Sequence, residues 1–457
     1  MLTDAIGVNP THATMIGVSD FDGVLRGKHI LQEDVSDRDG VIKFSEAVLA
    51  WDCSDRVIPA GFTQKPLSAF GDADLRILSS TGRAVSYVGD QRLYLAEFTG
   101  AHEGICPRGV LRKVLRRAAN HGYSCAAGFE FEFMLFKENA DTIEEKPFDK
   151  WVPLTRGPFG YSIARSVAHQ ELFGEILVLC DKARIPLIGL HFETGPGVIE
   201  ASLHDCDALE AADRAIVLKS MIKAWAQTRG MMATFMAKVS EKWPGQSGHI
   251  HISVASDGDN AFYDRDRFRG ISKQMSQFIG GQLKYMSDFC VLAAPNFNSY
   301  KRLVPGCWAP TCPSWGVDNR SCAVRVIPGD PSAHRLEYRL TGADMNPYLA
   351  LRARSVQAFW ESKKMLHCRL RSSVMQARRP AILPLDFRKA YQRRHTDLHG
   401  LQSPGMSLET GLLKPFLARA VENGNPFNIV LPTLNVSGTS RSPSVSSMLL
   451  QWFVMSA

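Results

Sequence analysis

Apolar and polar residues alternate strictly through Phe129-Glu130-Phe131-Glu132-Phe133. Alternation of period two predicts a β-strand with three phenylalanines on one face and both glutamates on the other. A strand holds two neighbouring bare carboxylates comfortably only with a cation between them. The same pattern recurs in His249-Ile250-His251-Ile252-Ser253 and in Arg335-Leu336-Glu337-Tyr338-Arg339. Three strands that each gather metal- or phosphate-binding groups on one face predict a sheet lining a polar active site.

Upstream, as far as about Arg92, short β-type runs (Met15 to Ser19, Gly23 to Leu25, Val85 to Val88) are broken by Gly, Asp and Pro. They predict a small, mainly β domain. Cys106-Pro107-Arg108 then opens a helical stretch, Gly109 to His121, with Leu111, Val114, Leu115 and Ala118 on one face and Gly122 past its end. Further helices are predicted over His169 to Arg184, Asp205 to Arg229 and Ser272 to Phe289. A Pro/Gly-rich loop covers Trp151 to Gly160, and a strand over Leu187 to Phe192 runs into the turn Thr194-Gly195-Pro196-Gly197. Helices alternating with antiparallel-looking strands predict an α+β catalytic domain with a curved or barrel-like sheet. No internal repeat is visible.

With 457 residues and 45% hydrophobic content, the chain can bury a large core divided between two unequal domains. The net charge of +7 is modest and fits an anionic substrate plus a basic tail. Nucleic-acid binding asks for a clustered basic face with interleaved aromatics, whereas the arginines from Arg320 to Arg339 interleave with an acid-bearing strand. The ten cysteines form no C-x-x-C pair, which argues against a zinc or redox motif and for a reducing cytoplasm. Asp4, with no early Lys or Arg before the short apolar run, speaks against a signal peptide. No run approaches the roughly 18 apolar residues of a membrane span.

Glu193 and Glu200 flank the Thr-Gly-Pro-Gly-Val-Ile turn, which lets both carboxylates point inward. Two glutamates beside a loop are ordinarily a surface feature; beside Glu130, Glu132 and Glu337 they read as ligands. Five carboxylates and one imidazole suit two or more hard divalent cations, Mg²⁺ or Mn²⁺. His249, following Ser247-Gly248, is a better ligand candidate than His251. Arg302, Arg320, Arg325, Arg335 and Arg339 offer planar forks for carboxylate and phosphate oxygens. Metals and arginines together are the parts that phosphoryl transfer needs. There is no Walker-type loop and no protein-kinase motif set, so nucleotide must be held mainly by metals and arginines.

The stretches VSDFDGVLRGK, GFEFEF, HFETGPGVIE, ATFMAK, SGHIHIS, NSYKRLVPGCWAP, DNRSCAVRV, RLEYR and GADMNPYLAL, in that order over about residues 15 to 357, resemble the glutamine synthetase family. The resemblance implies a small β-grasp N-terminal domain (1–100) and a glutamine synthetase-type catalytic domain (101–457) with a curved antiparallel sheet. It implies Glu132, Glu193 and Glu200 as ligands of one metal, and Glu130, His249 and Glu337 as ligands of another. Arg302 and Arg339 look like substrate contacts, with Ser247 and Gly248 beside them. Arg320, Arg325 and Arg335 look like phosphate contacts, Arg320 in a catalytic role, and Ser253 matches a nucleotide-side position. Asp20 matches an aspartate that reaches into a neighbouring subunit's site to help bind and deprotonate the attacking amine. A large homo-oligomeric ring is implied, with ATP as co-substrate.

Three departures from the family pattern stand out. Trp308 occupies the place of Glu in the Pro-Gly-x-Glu flap motif; that Glu helps close the site and take a proton from ammonium. Val198 replaces the usual Gln of the turn. Beyond about Gln357 the resemblance stops, the segment Lys363 to Arg394 is heavily basic, and the ending through Ser437 to Ser447 is Ser-rich. The reading these features favour is a cytoplasmic ATP-dependent ligase that forms an amide at the γ-carboxylate of glutamate through γ-glutamyl phosphate. Ammonia and a larger amine such as a polyamine are both open as acceptors. The competing readings are a catalytically silent, ring-forming structural or regulatory homologue and a metal-dependent phosphohydrolase.

Overall fold

The computed structural model describes residues 13–31, 40–56, 70–85 and 92–353. The basic and Ser-rich segments after residue 357, and the expected strand residues Ser86 to Val88, lie outside the described residues.

Six strands build the first sheet: β1 (Ala13–Ser19), β2 (Leu25–Leu31), β3 (Val41–Ser45), β4 (Asp72–Ile77), β5 (Arg83–Ala84) and β6 (Arg92–Phe98). Their order is β2-β1-β6-β4-β3, with β5 beside β6, and only β1–β6 is parallel. Alternation sorts the side chains between two cores. Ile16, Val18, Tyr94, Ala96 and Phe98 pack into one apolar cluster, while Leu93 and Leu95 join the main core beneath the second sheet. The expected run Gly23 to Leu25 is a turn leading into β2, with Gly23 in the left-handed region at φ 78.

The second sheet has ten strands: β7 (Tyr123–Phe136), β8 (Leu187–Phe192), β9 (Val198–Leu203), β10 (Cys206–Asp207), β11 (Met232–Thr234), β12 (Gly248–Ser256), β13 (Asp259–Asn260), β14 (Trp315–Val317), β15 (Val324–Ile327) and β16 (Arg335–Tyr338). The path runs β14-β15-β16-β12-β7-β9-β8, curls into a half-barrel, and is antiparallel except at β14–β15. The long strand β7 is its spine. Phe129, Phe131 and Phe133 are fully buried on its apolar face, the first two stacked at 5.7 Å between ring centroids. The helix Ala208–Thr228 packs behind them, its first amides accepted by the Asp207 carboxylate. The helix Gln170–Lys182 buries Phe173, Ile176, Leu179 and Cys180, the spacing of a single helical face.

A buried ionic network joins the two sheets. Arg108, in the helix Pro107–Ala119, donates from Nε and Nη2 to the two Asp213 oxygens at 2.9 Å each, and from Nη1 to Glu97 on β6 at 3.3 Å. Tyr348 Oη adds a donor to Asp213 at 2.7 Å. Among the described residues no helix is long and apolar enough to cross a membrane.

Candidate active site

Strand register assembles the polar face. Glu132 on β7 lies opposite Glu200 on β9, and His191 on β8 lies opposite Glu200 from the other side. Glu130 lies opposite His249 on β12; His251 faces Glu337 on β16, which faces Arg325 on β15. Residues directly opposite one another share a face, so these pairings bring distant sequence together in one concave row.

Two clusters result. In one, His249 Nδ1 is 3.5 Å from Glu130 Oε2 and 3.3 Å from Glu337 Oε1, and His251 Nε2 is 3.1 Å from Glu130 Oε1. In the other, His191 Nε2 is 3.2 Å from Glu193 Oε2 and 3.8 Å from Glu200 Oε1. Ligand atoms of Glu130, His251 and Glu337 all lie within 4.8 Å of one another, as do those of His191, Glu193 and Glu200. Glu132 stands beside Glu200, one of its oxygens accepting the Ser247 backbone N–H at 2.7 Å.

The charges fit divalent cations. Burial, then the charges of Glu130, Glu132 and Glu193, push the Glu200 carboxyl up to about 9. Ions between these carboxylates would relieve that repulsion. Burial, with Arg339 nearby, pushes His249 down and keeps its imidazole neutral, the form that binds a metal. His249 Nε2 is buried without a hydrogen-bond partner, an orphan that a ligated ion would satisfy. Glu130, His249, His251 and Glu337 would hold one ion; Glu132, His191, Glu193 and Glu200 would hold another.

The arginines ring this row. Arg339 contacts Glu337 and donates from Nε to the Arg320 carbonyl at 2.9 Å. Arg325 Nη1 reaches the second Glu337 oxygen at 2.9 Å, and its Nε donates to Asp318 at 3.2 Å. Arg335 donates to His251 Nδ1 at 3.2 Å. Arg302 is buried and donates to the carbonyls of Leu340 at 3.2 Å and Arg339 at 3.3 Å. Burial lowers its guanidinium to about 10, and the Arg339 charge adds to this while Glu132 opposes it. Arg320 is exposed, and its charge acts on Tyr161 and Asp318.

Ser247 is buried with an unpartnered hydroxyl oxygen. Gly248 cannot be anything larger, because a Cβ there would stand 2.8 Å from the Gly342 carbonyl oxygen. Ser253 is half-buried on the same strand face as His249 and His251, further along β12. Val198 is buried opposite Met134 in an apolar cluster with Trp151. Trp308 is 77% exposed and holds a left-handed φ of 54.

Asp20 stands apart from the row. It is 0% exposed, and its carboxylate accepts from Val24 N at 2.8 Å and Arg26 Nε at 2.9 Å. Burial and the Asp22 charge push it up to about 7.

Sequence reasoning missed His191 and Tyr161. His191 was legible as the residue two before Glu193 on a strand, the same spacing that flagged Glu130 and Glu132. Tyr161 carried no such signal: its loop turns through a left-handed φ of 56 and stacks the ring on His191 at 4.3 Å. Elsewhere, a cavity of about 470 Å³ between β1, β2 and the helix Ala208–Thr228, lined by Met15, Leu25, Met221 and Trp225, holds none of these carboxylates.

Comparison with known proteins agrees with this geometry. The glutamine synthetase catalytic domain profile matches residues 104–358. Type-1 glutamine synthetase 2 of Dictyostelium discoideum is 38% identical over 77% of this chain and 68% of its own length. A glutamate–isopropylamine ligase of a Pseudomonas species is 33% identical over 74% of this chain and 75% of its own length. The γ-glutamylputrescine synthetase PuuA of Escherichia coli is 32% identical over 74% and 72% respectively. A solved structure described as a GmaS/ADP complex superposes with a TM-score of 0.71 at 24% identity, covering 90% of this chain and 92% of that one, and so shares the fold. A half-barrel whose register brings the carboxylates and histidines of two such clusters together, under a profile that spans them, places the chain in the glutamine synthetase family of ligases.

Proposed function

We propose that the protein is an ATP-dependent ligase that joins the γ-carboxylate of glutamate to an amine. The observation that carries this reading is the single row of five carboxylates and three histidines bordered by Arg302, Arg325, Arg335 and Arg339. The ATP γ-phosphoryl group passes to the glutamate γ-carboxylate, giving γ-glutamyl phosphate and ADP. The amine nitrogen then forms the C–N bond as phosphate leaves, and its proton passes to a carboxylate of the cluster. Bound Mg²⁺ or Mn²⁺ would supply charge neutralisation for the phosphate oxygens. Arg302 and Arg339 hold the glutamate carboxylates; Arg320, Arg325 and Arg335 hold phosphate, with Ser253 on the nucleotide side. Closing the site keeps water from the acyl phosphate.

The acceptor we favour is a substituted amine. Trp308 puts an indole where the flap motif of the resembled family reads Glu, and an alkyl, aryl or polyamine chain gains about 25 cal/mol per Å² of apolar surface it buries there. The naming of relatives for isopropylamine, ethanolamine and putrescine supports this choice. The deciding measurement is kcat/KM for ammonium, methylamine, isopropylamine, ethanolamine, putrescine and an aromatic amine in one assay. A tenfold or greater lead for ammonium would make the product glutamine and leave Trp308 a packing residue, by the logic that kcat/KM reports transition-state binding.

We further assign the protein to a cytoplasmic homo-oligomeric ring. Ten cysteines scattered singly along the chain, with no C-x-x-C pair, support the compartment. Exposed Phe159, Ile163, Val167 and Ile188 beside the Tyr161 edge of the site support a neighbouring subunit there. A catalytically silent homologue is disfavoured because it would have no need to keep both clusters; total absence of ATP turnover across the amine panel would restore it.

A further inference from the structure

The helix Phe297–Arg302 carries Arg302 at its last position and leads directly into the flap. Both ends of this short helix are fastened to one segment, residues 339–344. At its C-terminal end the Arg302 guanidinium donates to the Leu340 and Arg339 carbonyls. At its N-terminal end Asn296 Nδ2 and Ser299 Oγ converge on one Asp344 oxygen, at 3.0 and 2.5 Å. Ser299 and Asn296 also close a reciprocal capping box around the helix start. Asp344 is itself braced. Gly342 leaves room for it, since a Cβ there would stand 2.5 Å from Asp344 Oδ1, and Lys219 Nζ donates to the Met345 carbonyl at 2.9 Å. Between the two gripped residues, Asn298 exchanges two hydrogen bonds with the Lys238 backbone, at 2.8 and 2.6 Å, and so ties the same end of the helix to a second segment.

We propose that Asp344 is a positioning residue that sets the angle of Arg302 toward the substrate carboxylate by gripping Asn296 and Ser299 at the far end of its helix. The proposal rests on the reading of Arg302 as a glutamate contact. A shift at the gripped end of a rigid turn-and-a-half helix is carried to its other end, and small misplacements of a positioning group cost catalysis heavily. A residue that merely capped the helix would change stability without distinguishing one substrate from another.

The test compares Ser299→Ala, Asp344→Ala and Asp344→Asn. Asp344→Ala raises the glutamate KM by about tenfold while the ATP KM stays within about twofold. Asp344→Asn, whose amide oxygen still accepts both hydrogen bonds, recovers most of that loss, and Ser299→Ala gives a smaller shift of the same kind, about threefold. Equal movement of both KM values, or a fall in Tm with neither KM changed, overturns the proposal. If the wild-type protein fails to use glutamate at all, the functional reading falls and a crystal structure of Ser299→Ala decides the positional claim separately. An Arg302 guanidinium that has left the Leu340 and Arg339 carbonyls upholds it; one still seated on them overturns it.

Discussion

Glu337 is gripped on both oxygens, by Arg339 on one and Arg325 on the other, while His249 approaches to 3.3 Å. Glu337 would also help hold an ion, and sharing it that way would free the Arg339 and Arg325 forks for substrate and phosphate. Glu132→Ala is therefore expected to abolish nearly all turnover with little change in Tm. Glu337→Ala should abolish it too, and also cost about 3 kcal/mol by leaving buried Arg339 without its partner. Steady-state rates at saturating Mg²⁺ and thermal melts check both, and full turnover by either variant rules out the paired clusters. Arg339→Lys keeps the charge and loses the fork, so the glutamate KM should rise strongly; an unchanged glutamate dependence would show that Arg339 faces elsewhere. These glutamates and arginines were legible in the sequence because strand alternation sorts residues by face without any knowledge of the fold. The ion pair between Asp20 and Arg26 was not, since nothing in the sequence shows that the two side chains meet.

At the scale of elements, β7, β12 and β16 announced themselves through alternation; β4 (Asp-Ala-Asp-Leu-Arg-Ile) alternates as strictly and was overlooked, whereas β6 carried no such signal. β6 is covered on both faces, so the Leu-Tyr-Leu-Ala at its centre is an unbroken apolar run with no period of two. The helix Ala208–Thr228 was found within a few residues at each end. Its Lys219 stands beneath the site, 5.5 Å from the Phe131 ring centroid and 5.6 Å from that of Phe235. Burial pushes its ammonium down to about 7 from an ordinary value of 10.5. Below pH 7 the folded chain carries the full cost of that buried charge. Between pH 7 and 10.5 the unfolded chain binds the extra proton, so this group makes stability rise with pH, by up to about 1.4 kcal/mol per unit. Lys223, pushed down to about 8, contributes with the same sign. Urea melts of Lys219→Met and wild type at pH 7 and 9.5 should show the variant's relative advantage shrinking as pH rises; a constant difference would mean that Lys219 titrates normally.

At the scale of the whole molecule, the two sheets are joined through charge as well as apolar contact. Asp213→Ala would leave Arg108 buried beside Tyr348 with only Glu97 at 3.3 Å, and should cost about 3–5 kcal/mol in denaturant melts. A loss below about 1 kcal/mol would mean that water replaces the carboxylate readily. The network was invisible in sequence because Glu97, Arg108 and Asp213 each look like a surface residue of a separate element.

The spine strand β7 holds catalysis and core on opposite sides of one backbone, with stacked Phe129 and Phe131 behind and Glu130 and Glu132 in front. Loss or gain of one residue inside it would turn the phenylalanines outward into the polar row and drive the glutamates into the core. Point substitutions along this strand can drift one at a time, but a single-codon deletion there is an inversion. An inserted or deleted residue is therefore tolerable only in connections such as the one following Phe136, never within β7 itself.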